Sequence, residues 1–548
     1  MEAFMAWFQS NGGSIDLSAM GISETATTGR GAVALRDIPP GHTLFILPRT
    51  LTLSTRTSPL PNLFGLQLWQ RHGLHKGWVG LILCMMWEDA WTHESGQKEI
   101  VDGISGGKWA PYMRTLPAEF DTPMFWTDEE MDELRGTAVV DKIGREDAEK
   151  AYWEKLVPAI KTSSTLFPPS HHGQWYSLDA YHRAGSRILS RSFTVSRWEG
   201  GGSDNEGSEC GGEVEVEDGE GKRDIEASTS LGIAMDVENA VTLDNGANRG
   251  LDSDSDSDDD GEDPSDVAMV PMADLLNARW GSENAKLFYE PLLLRMVTTR
   301  DIKKNEEIFN TYGDPPNSDL LRRYGHVDFL DLPPGINAVA NRGCDIKTLG
   351  NPSDIVEIKA DLVVLVVRAR WHAKMDDGID ERIEWWLDEG GDEGVNPAET
   401  LPPVLISLLR LLLLSSSEFE MVREKGKLPK GKLRIALLEI LAEVLKRRAE
   451  EYKGGSVEDD ERLLSNDAAS TLPEAERLSA NKRHAIIVRL GEKRILRIVQ
   501  GAVHALLDRM DEDTLEKPIG KVKDKAKRIV SRDGSGADVG RSLKKARR

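Results

Sequence analysis

Two tyrosines twelve residues apart, Tyr312 and Tyr324, stand in the stretch EEIFNTYGDPPNSDLLRRYGHVD. The first lies between a short apolar run and a turn marked by Gly313 and Pro315–Pro316. Leu292, Leu294 and Met296 alternate with other residues, as in a strand with one buried face, and Ile308 and Phe309 end a second short strand. Ser318 is placed to cap a helix beginning near Asp319. A phenol at such a strand end is held rigidly, but aromatic residues also end strands for packing alone. Position by itself leaves a structural and a catalytic role open.

A second candidate is GRGAVA, Gly29 to Ala34, which has the glycine spacing of a dinucleotide-binding turn. That motif needs an apolar strand before it and a helix after it. Here the polar GISETATT precedes it, and Pro39–Pro40 leave no room for the helix, so a Rossmann unit is excluded. The two glycines still allow close approach of backbone to a ligand. Cys84, Cys210 and Cys344 lie far apart and form neither a disulfide framework nor a paired metal site.

The elements that must position these residues can be read along the chain of 548 residues, long enough for two or three domains. Residues 25–54 read as short strands joined by turns, and residues 65–190 are mostly helical, as in WVGLILCMMWEDAW and LDAYHRAGSRILSRSF. Strand-rich sequence resumes at VAMVPMADLLNARW and runs to Tyr312. From about 354 the apolar positions recur at three- and four-residue spacing in long amphipathic helices. The fold class is α+β: a β-rich domain split by a helical insertion and followed by an all-helical domain. VLISLLRLLLL is too short for a membrane span and contains Arg410, so a buried helix is expected. The N-terminus lacks the basic and apolar regions of a secretory signal.

The formal net charge of −23 is localised. Between Glu199 and Asp266 there are 23 acidic and 3 basic residues, so the rest of the chain is nearly balanced. That Gly-, Ser- and Asp-rich segment cannot bury enough apolar surface to offset its ordering entropy and reads as a disordered linker. From Lys517 the chain carries 12 Lys/Arg against 3 Asp, a basic tail open to a role in nuclear import, to nucleic-acid contact or to mere solubility. No aromatic residues interleave with it, so direct nucleic-acid binding is not expected.

Taken in order, GRGAVALRDIPPGHTLFILPR, VPMADLLNA, NAKLFYEPLLLRMVTTRDIKKNEEIFNTYG and SDLLRRYGHVD resemble the SET-domain protein-lysine methyltransferases. The nearest subgroup holds the plastid Rubisco large-subunit methyltransferase and the fungal ribosomal lysine methyltransferases. The resemblance implies a pseudo-knotted SET core in two parts, 1–65 and 267–330. A helical insertion at 66–196 and an acidic linker at 197–266 separate them. A helical substrate-binding domain at 340–512 and a basic tail at 513–548 follow. It implies S-adenosyl-L-methionine as cofactor and a protein substrate, expected to be ribosomal, in the nucleus or cytoplasm, with no membrane. Carried over by motif, Tyr312 is the catalytic tyrosine. Thr28, Arg30 and Gly31 contact the cofactor through backbone, Arg191 pairs with its carboxylate, and Asp274 and Asn277 hold its amino end. Ala278 stands where many members carry a histidine that touches the adenine. Tyr324 lines the lysine channel or the cofactor, Tyr289 is a candidate channel wall, and His326 falls at an adenine-facing position.

The chemistry suits such roles. A free lysine has a pKa of about 10.4 and must lose its proton before it can attack a methyl group, which an apolar channel promotes by desolvation. The remaining work is alignment, for which a rigid phenol is fitted; its own high pKa argues against general-base duty. The alternatives are a histone or transcription-factor substrate, and a catalytically inactive SET scaffold suggested by Ala278.

Overall fold

The computed structural model describes residues 1–25, 29–93, 107–195, 267–331, 349–371, 378–388, 403–429, 433–468 and 477–510. Thr28, the acidic linker and the basic tail lie outside the described residues. The chain divides into two compact units. The first is Met1–Glu357 with Glu451–Ile495, and the second is Ile358–Glu450 with the residues from Leu496 onward.

The first unit holds nine short strands that concern the site. They are β1 (Ser14–Ile15), β2 (Met20–Thr25), β3 (Gly29–Ala34), β4 (Thr43–Pro48), β5 (Ser192–Thr194), β6 (Val267–Met269), β7 (Ala285–Tyr289), β8 (Leu293–Thr298) and β9 (Glu307–Ile308). They form antiparallel sheets in the orders β1-β4-β8-β7, β2-β3-β9 and β5-β6. GRGAVA is therefore a central strand, not a phosphate-binding turn. Its small residues Ala32 and Ala34 are buried, and β9 pairs beside it with Ala32 opposite Ile308. Two strands from before the insertion, β3 and β4, thus take partners from after it, and the halves of the sheet region interlock.

The alternation in β8 turns Leu294, Met296 and Thr298 inward. Leu292 is 71% exposed because the strand begins only at Leu293, so the buried face starts one repeat later than the sequence pattern suggests. In the insertion, the apolar helix Val79–His93 is buried along Leu81–Trp87, as expected of a helix without a polar face. It packs against the helix Leu178–Arg191, whose first turn is capped by Ser177 accepting from the Ala180 amide at 3.2 Å.

The helix carrying Tyr324 spans Asn317–Tyr324 and follows Pro316, with no side-chain cap. Ser318 lies within the helix, because the buried Asn317 already anchors its start. The Asn317 amide donates to Asp354 Oδ1 at 2.8 Å, its Nδ2 to the Asp328 carbonyl at 3.0 Å, and its Oδ1 accepts from the Asp328 amide at 2.8 Å.

Residues Glu451–Ile495, which fall within the helical span expected over 340–512, group with the first unit. Ala485 and Val488 pack with Trp126, Leu134, Val139 and Leu321. Arg489 pairs with Glu133 at 3.0 Å and with Asp460 at 2.7 Å, and Lys493 pairs with Asp460 at 2.7 Å. These partners lie far off in sequence, where helical periodicity is silent. The second unit is helical: Ala360–Trp371, Ile379–Asp388, Pro403–Leu412, Ser416–Arg423 and Ile435–Glu450. Leu408, Leu409, Leu411 and Leu412 are buried there, as expected for VLISLLRLLLL. No described helix is long and apolar enough to cross a membrane.

Candidate active site

The site begins where β9 ends. The Phe309 amide donates to Asn284 Oδ1 at 2.8 Å and the Asn310 amide to the Asn277 carbonyl at 2.9 Å, so the chain is held up to Thr311. Gly313 and Asp314 then adopt φ of 82° and 52°, and the helix Asn317–Tyr324 brings the chain back. It returns Tyr324 onto Tyr312 as a parallel stack, with ring centroids 4.2 Å apart and planes within 8°. The helix stops at Gly325, φ 76°, where a Cβ would lie 3.1 Å from the Asp121 carbonyl carbon. His326 tilts against Tyr324 at 5.9 Å. Burial pushes the phenols of Tyr312 and Tyr324 above their ordinary range and the His326 imidazole below its own. At neutral pH the phenols therefore keep their protons and the imidazole is uncharged.

Arg191 arrives from the insertion as the last residue of its helix, and its Nη1 donates to the Asp274 backbone carbonyl at 2.6 Å. Asp274 lies on a short turn, Ala273–Leu275, entered through Met272 at φ 78°. Its carboxylate is buried and accepts at Oδ2 from the Tyr112 hydroxyl at 2.8 Å. Two polar atoms here are buried with no hydrogen-bond partner, Asp274 Oδ1 and Arg191 Nε. Burial raises the Asp274 carboxyl to about 6, opposed by the charge of Arg191. The charges of both Arg191 and Asp274 act on the Tyr312 phenol.

On the other side, Asn277 Nδ2 donates to the Arg30 carbonyl at 3.2 Å and to Glu307 Oε1 at 2.8 Å. The Arg30 side chain donates to the Thr115 carbonyl at 2.6 Å. Gly31 sits beneath this clasp: a Cβ there would stand 2.5 Å from Glu307 Oε1 and 2.7 Å from Asn277 Nδ2. Ala278 bridges to Asn310 and lines a cleft with Trp280, Thr311, Tyr312 and Asp314.

The SET-domain family model matches residues 29–313, more than half of the chain. The chain belongs to the SET-domain family. A second model, Rubisco LSMT substrate-binding, matches residues 373–496. Over 307 residues the SET protein is 31% identical to ribosomal lysine N-methyltransferase 4 of Saccharomyces cerevisiae, covering 55% of this chain and 49% of that one. It thus spans about half the length of that relative. N-lysine methyltransferase setd6 of Danio rerio is 26% identical over 500 residues, covering 86% and 88%. Among solved structures, Rubisco LSMT bound to sinefungin and monomethyllysine superposes with a TM-score of 0.55 at 19% identity, covering 96% of this chain and 97% of that one. At that identity the likeness shows the fold.

Within the SET core, the structure gathers Arg30, Gly31, Arg191, Asp274, Asn277, Ala278, Tyr312 and Tyr324 around the interlocked strands. Asn277 spends its amide nitrogen on the protein itself, tying β3 to β9. Tyr289 is not brought in. It ends β7 opposite Leu294 and is 40% exposed. Ala285, at the other end of that strand, bonds the Phe309 carbonyl, and four strand steps of about 3.3 Å put Tyr289 about 13 Å from it. Sequence reading missed Tyr112 and Glu307. Glu307 carries a faint signal, a charged residue inside a very short apolar strand. Tyr112 carries none, because its partner Asp274 lies 162 residues away.

Proposed function

We propose that this SET protein is an S-adenosylmethionine-dependent protein-lysine N-methyltransferase whose acceptor lysine lies on a ribosomal protein. The observation that carries the enzymatic part is the unmatched buried pair beside Tyr312, an acceptor at Asp274 Oδ1 and a donor at Arg191 Nε. Buried polar groups are almost always satisfied, so such a pair fits a ligand bearing both an amine and a carboxylate. The methionine end of S-adenosylmethionine bears both. Arg191 would hold its carboxylate and Asp274 its amine, and the small side chain of Ala278 lines the adjoining cleft. When bound, this cofactor supplies a methyl group on a positively charged sulfur.

The chain's own residues do the rest. The stacked rings of Tyr312 and Tyr324 give an apolar wall that disfavours a charged lysine amine and promotes its neutral form. Tyr312 keeps its proton at neutral pH, so its hydroxyl orients the amine by hydrogen bonding and does not act as a base. The return of the helix Asn317–Tyr324 fixes both rings, which serves alignment.

The ribosomal substrate is supported by the likeness to the yeast enzyme, whose name states that substrate class. The basic tail supports a nuclear as well as a cytoplasmic location. The test is methyl transfer from labelled S-adenosylmethionine to purified ribosomes and to core histones, with wild type and Tyr312→Phe. Label in one ribosomal band, lost in the variant, is expected. Label only in histones would overturn the substrate, and absence of cofactor binding would overturn the enzyme.

A further inference from the structure

Besides Arg191, the insertion sends a hydroxyl into the site. Tyr112, on the short helix Ala110–Met113, is fully buried and donates to Asp274 Oδ2 at 2.8 Å. Its ring is itself held from the first helix of the chain, Glu2–Ser10. It stacks parallel to Trp7 at 6.4 Å between centroids and lies 6.2 Å from Phe4. The Trp7 indole in turn donates to the Lys108 carbonyl at 2.8 Å, two residues before the helix of Tyr112. Asp274 is equally constrained in its backbone, since the turn starts from Met272 at φ 78°, a conformation rare for a residue with a side chain. With Oδ2 occupied, Oδ1 is left buried and without a partner.

We propose that Tyr112 is a positioning residue: its hydroxyl orients the Asp274 carboxylate so that Oδ1 alone is presented to the amine of the ligand. This rests on the cofactor reading given above. Tyr112 touches neither the reacting methyl nor the acceptor amine in this scheme; it acts through Asp274.

The groups facing the carboxylate make the role testable by pH. Arg191 and Arg30 favour its ionised form, as does the Tyr112 bond, while burial opposes ionisation and leaves the carboxyl at about 6. Tyr312 faces the same charge, and Arg187 and Arg191 face Tyr112. An amine is held by the ionised carboxylate, so binding should weaken as pH falls through that value. Loss of a donor to the ionised form raises the carboxyl further.

The experiment is calorimetric titration of the full chain with S-adenosylmethionine between pH 5 and 7.5, for wild type and Tyr112→Phe. Wild type should lose affinity on the acid side with a midpoint near 6. The variant should shift that midpoint up by about one pH unit, so that binding is several-fold weaker at pH 6.5 and recovers toward pH 7.5. An unmoved midpoint, or equal weakening at every pH, would assign Tyr112 a packing role and overturn the proposal. Should the phenylalanine variant fail to fold, 3-fluorotyrosine at position 112 keeps the shape and donates more strongly. It must then move the midpoint down, and no movement again overturns the proposal. Wild type that binds no cofactor at any pH would instead sink the cofactor reading, a result separate from either variant's.

Discussion

The ring of Tyr324 lies flat on that of Tyr312, 4.2 Å between centroids, although a turn and a complete helix separate them in the chain. Contact of this kind serves through shape more than through the second hydroxyl. Tyr324→Phe should therefore keep methyl transfer within a few-fold of wild type. Tyr324→Ala should lower kcat by about 10- to 100-fold, since small misplacements of aligned groups are that costly. Steady-state kinetics on the pair of variants would decide it, and equal losses in both would refute the shape argument.

Tyr312→Phe removes the hydroxyl that, in the proposed reaction, orients the acceptor amine. A loss of about 10²-fold in kcat is expected, with cofactor affinity nearly unchanged. Calorimetry beside single-turnover transfer separates the two quantities.

A methyl group at Gly31 would have to displace two side-chain ends. It would stand 2.5 Å from the Glu307 carboxylate and 2.7 Å from the Asn277 amide, both hydrogen-bonded to each other. Gly31→Ala should cost about 1–3 kcal/mol and weaken cofactor binding as well. Thermal unfolding and calorimetry on the same sample test this. An unchanged melting temperature would mean that the clasp yields freely.

Three buried carboxyls are raised by burial: Asp274 to about 6, and Asp354 and Glu88 to about 7. In each case the native state binds a proton more tightly than the unfolded chain, so stability is lost as pH climbs from about 4 to about 7. The ligand-free protein should unfold less readily near pH 6 than at pH 8. Asp354→Asn would remove one of these contributions, on the order of 2 kcal/mol, and flatten the dependence. Melting temperatures across that range, for both proteins, are the measurement. A profile as steep in the variant as in wild type would contradict it.

Asp460 is almost wholly buried between Arg489 and Lys493. Asp460→Ala would leave two buried cations without their shared anion, a loss of about 3–5 kcal/mol. Denaturant unfolding would show it as a lower midpoint. A shift under 1 kcal/mol would mean that Glu133 and the nearby carbonyls suffice.

Much of this was visible in the chain. Local patterns announced a helix within LDAYHRAGSRILSRSF, short strands over 25–54, the turn after Tyr312 and the helix that follows it. Each depends on neighbours within a few residues. What stayed hidden depends on distant partners: Tyr112 on Asp274, Glu307 beneath Asn277, and Arg489 against Glu133. Boundaries failed for the same reason. Ser318 looked like a cap, but Asn317 is fastened by Asp328 and Asp354. Tyr289 sat in a suggestive motif, yet strand direction carries it away from the cleft. The Glu451–Ile495 segment keeps helical periodicity while its charges choose the first unit.

The pairing of β3 with β9 also sets a schedule. Strand β3 leaves the ribosome early, with its partner almost 280 residues behind it. At about 5–20 residues per second, that wait is on the order of tens of seconds during synthesis. Throughout it, one edge of β3 has no β9 to cover it, and neither Tyr312 nor Tyr324 has yet been made. The nascent chain is therefore inactive until its second half has been made, and an unclaimed strand edge is the part of this protein most exposed to wrong company while it waits.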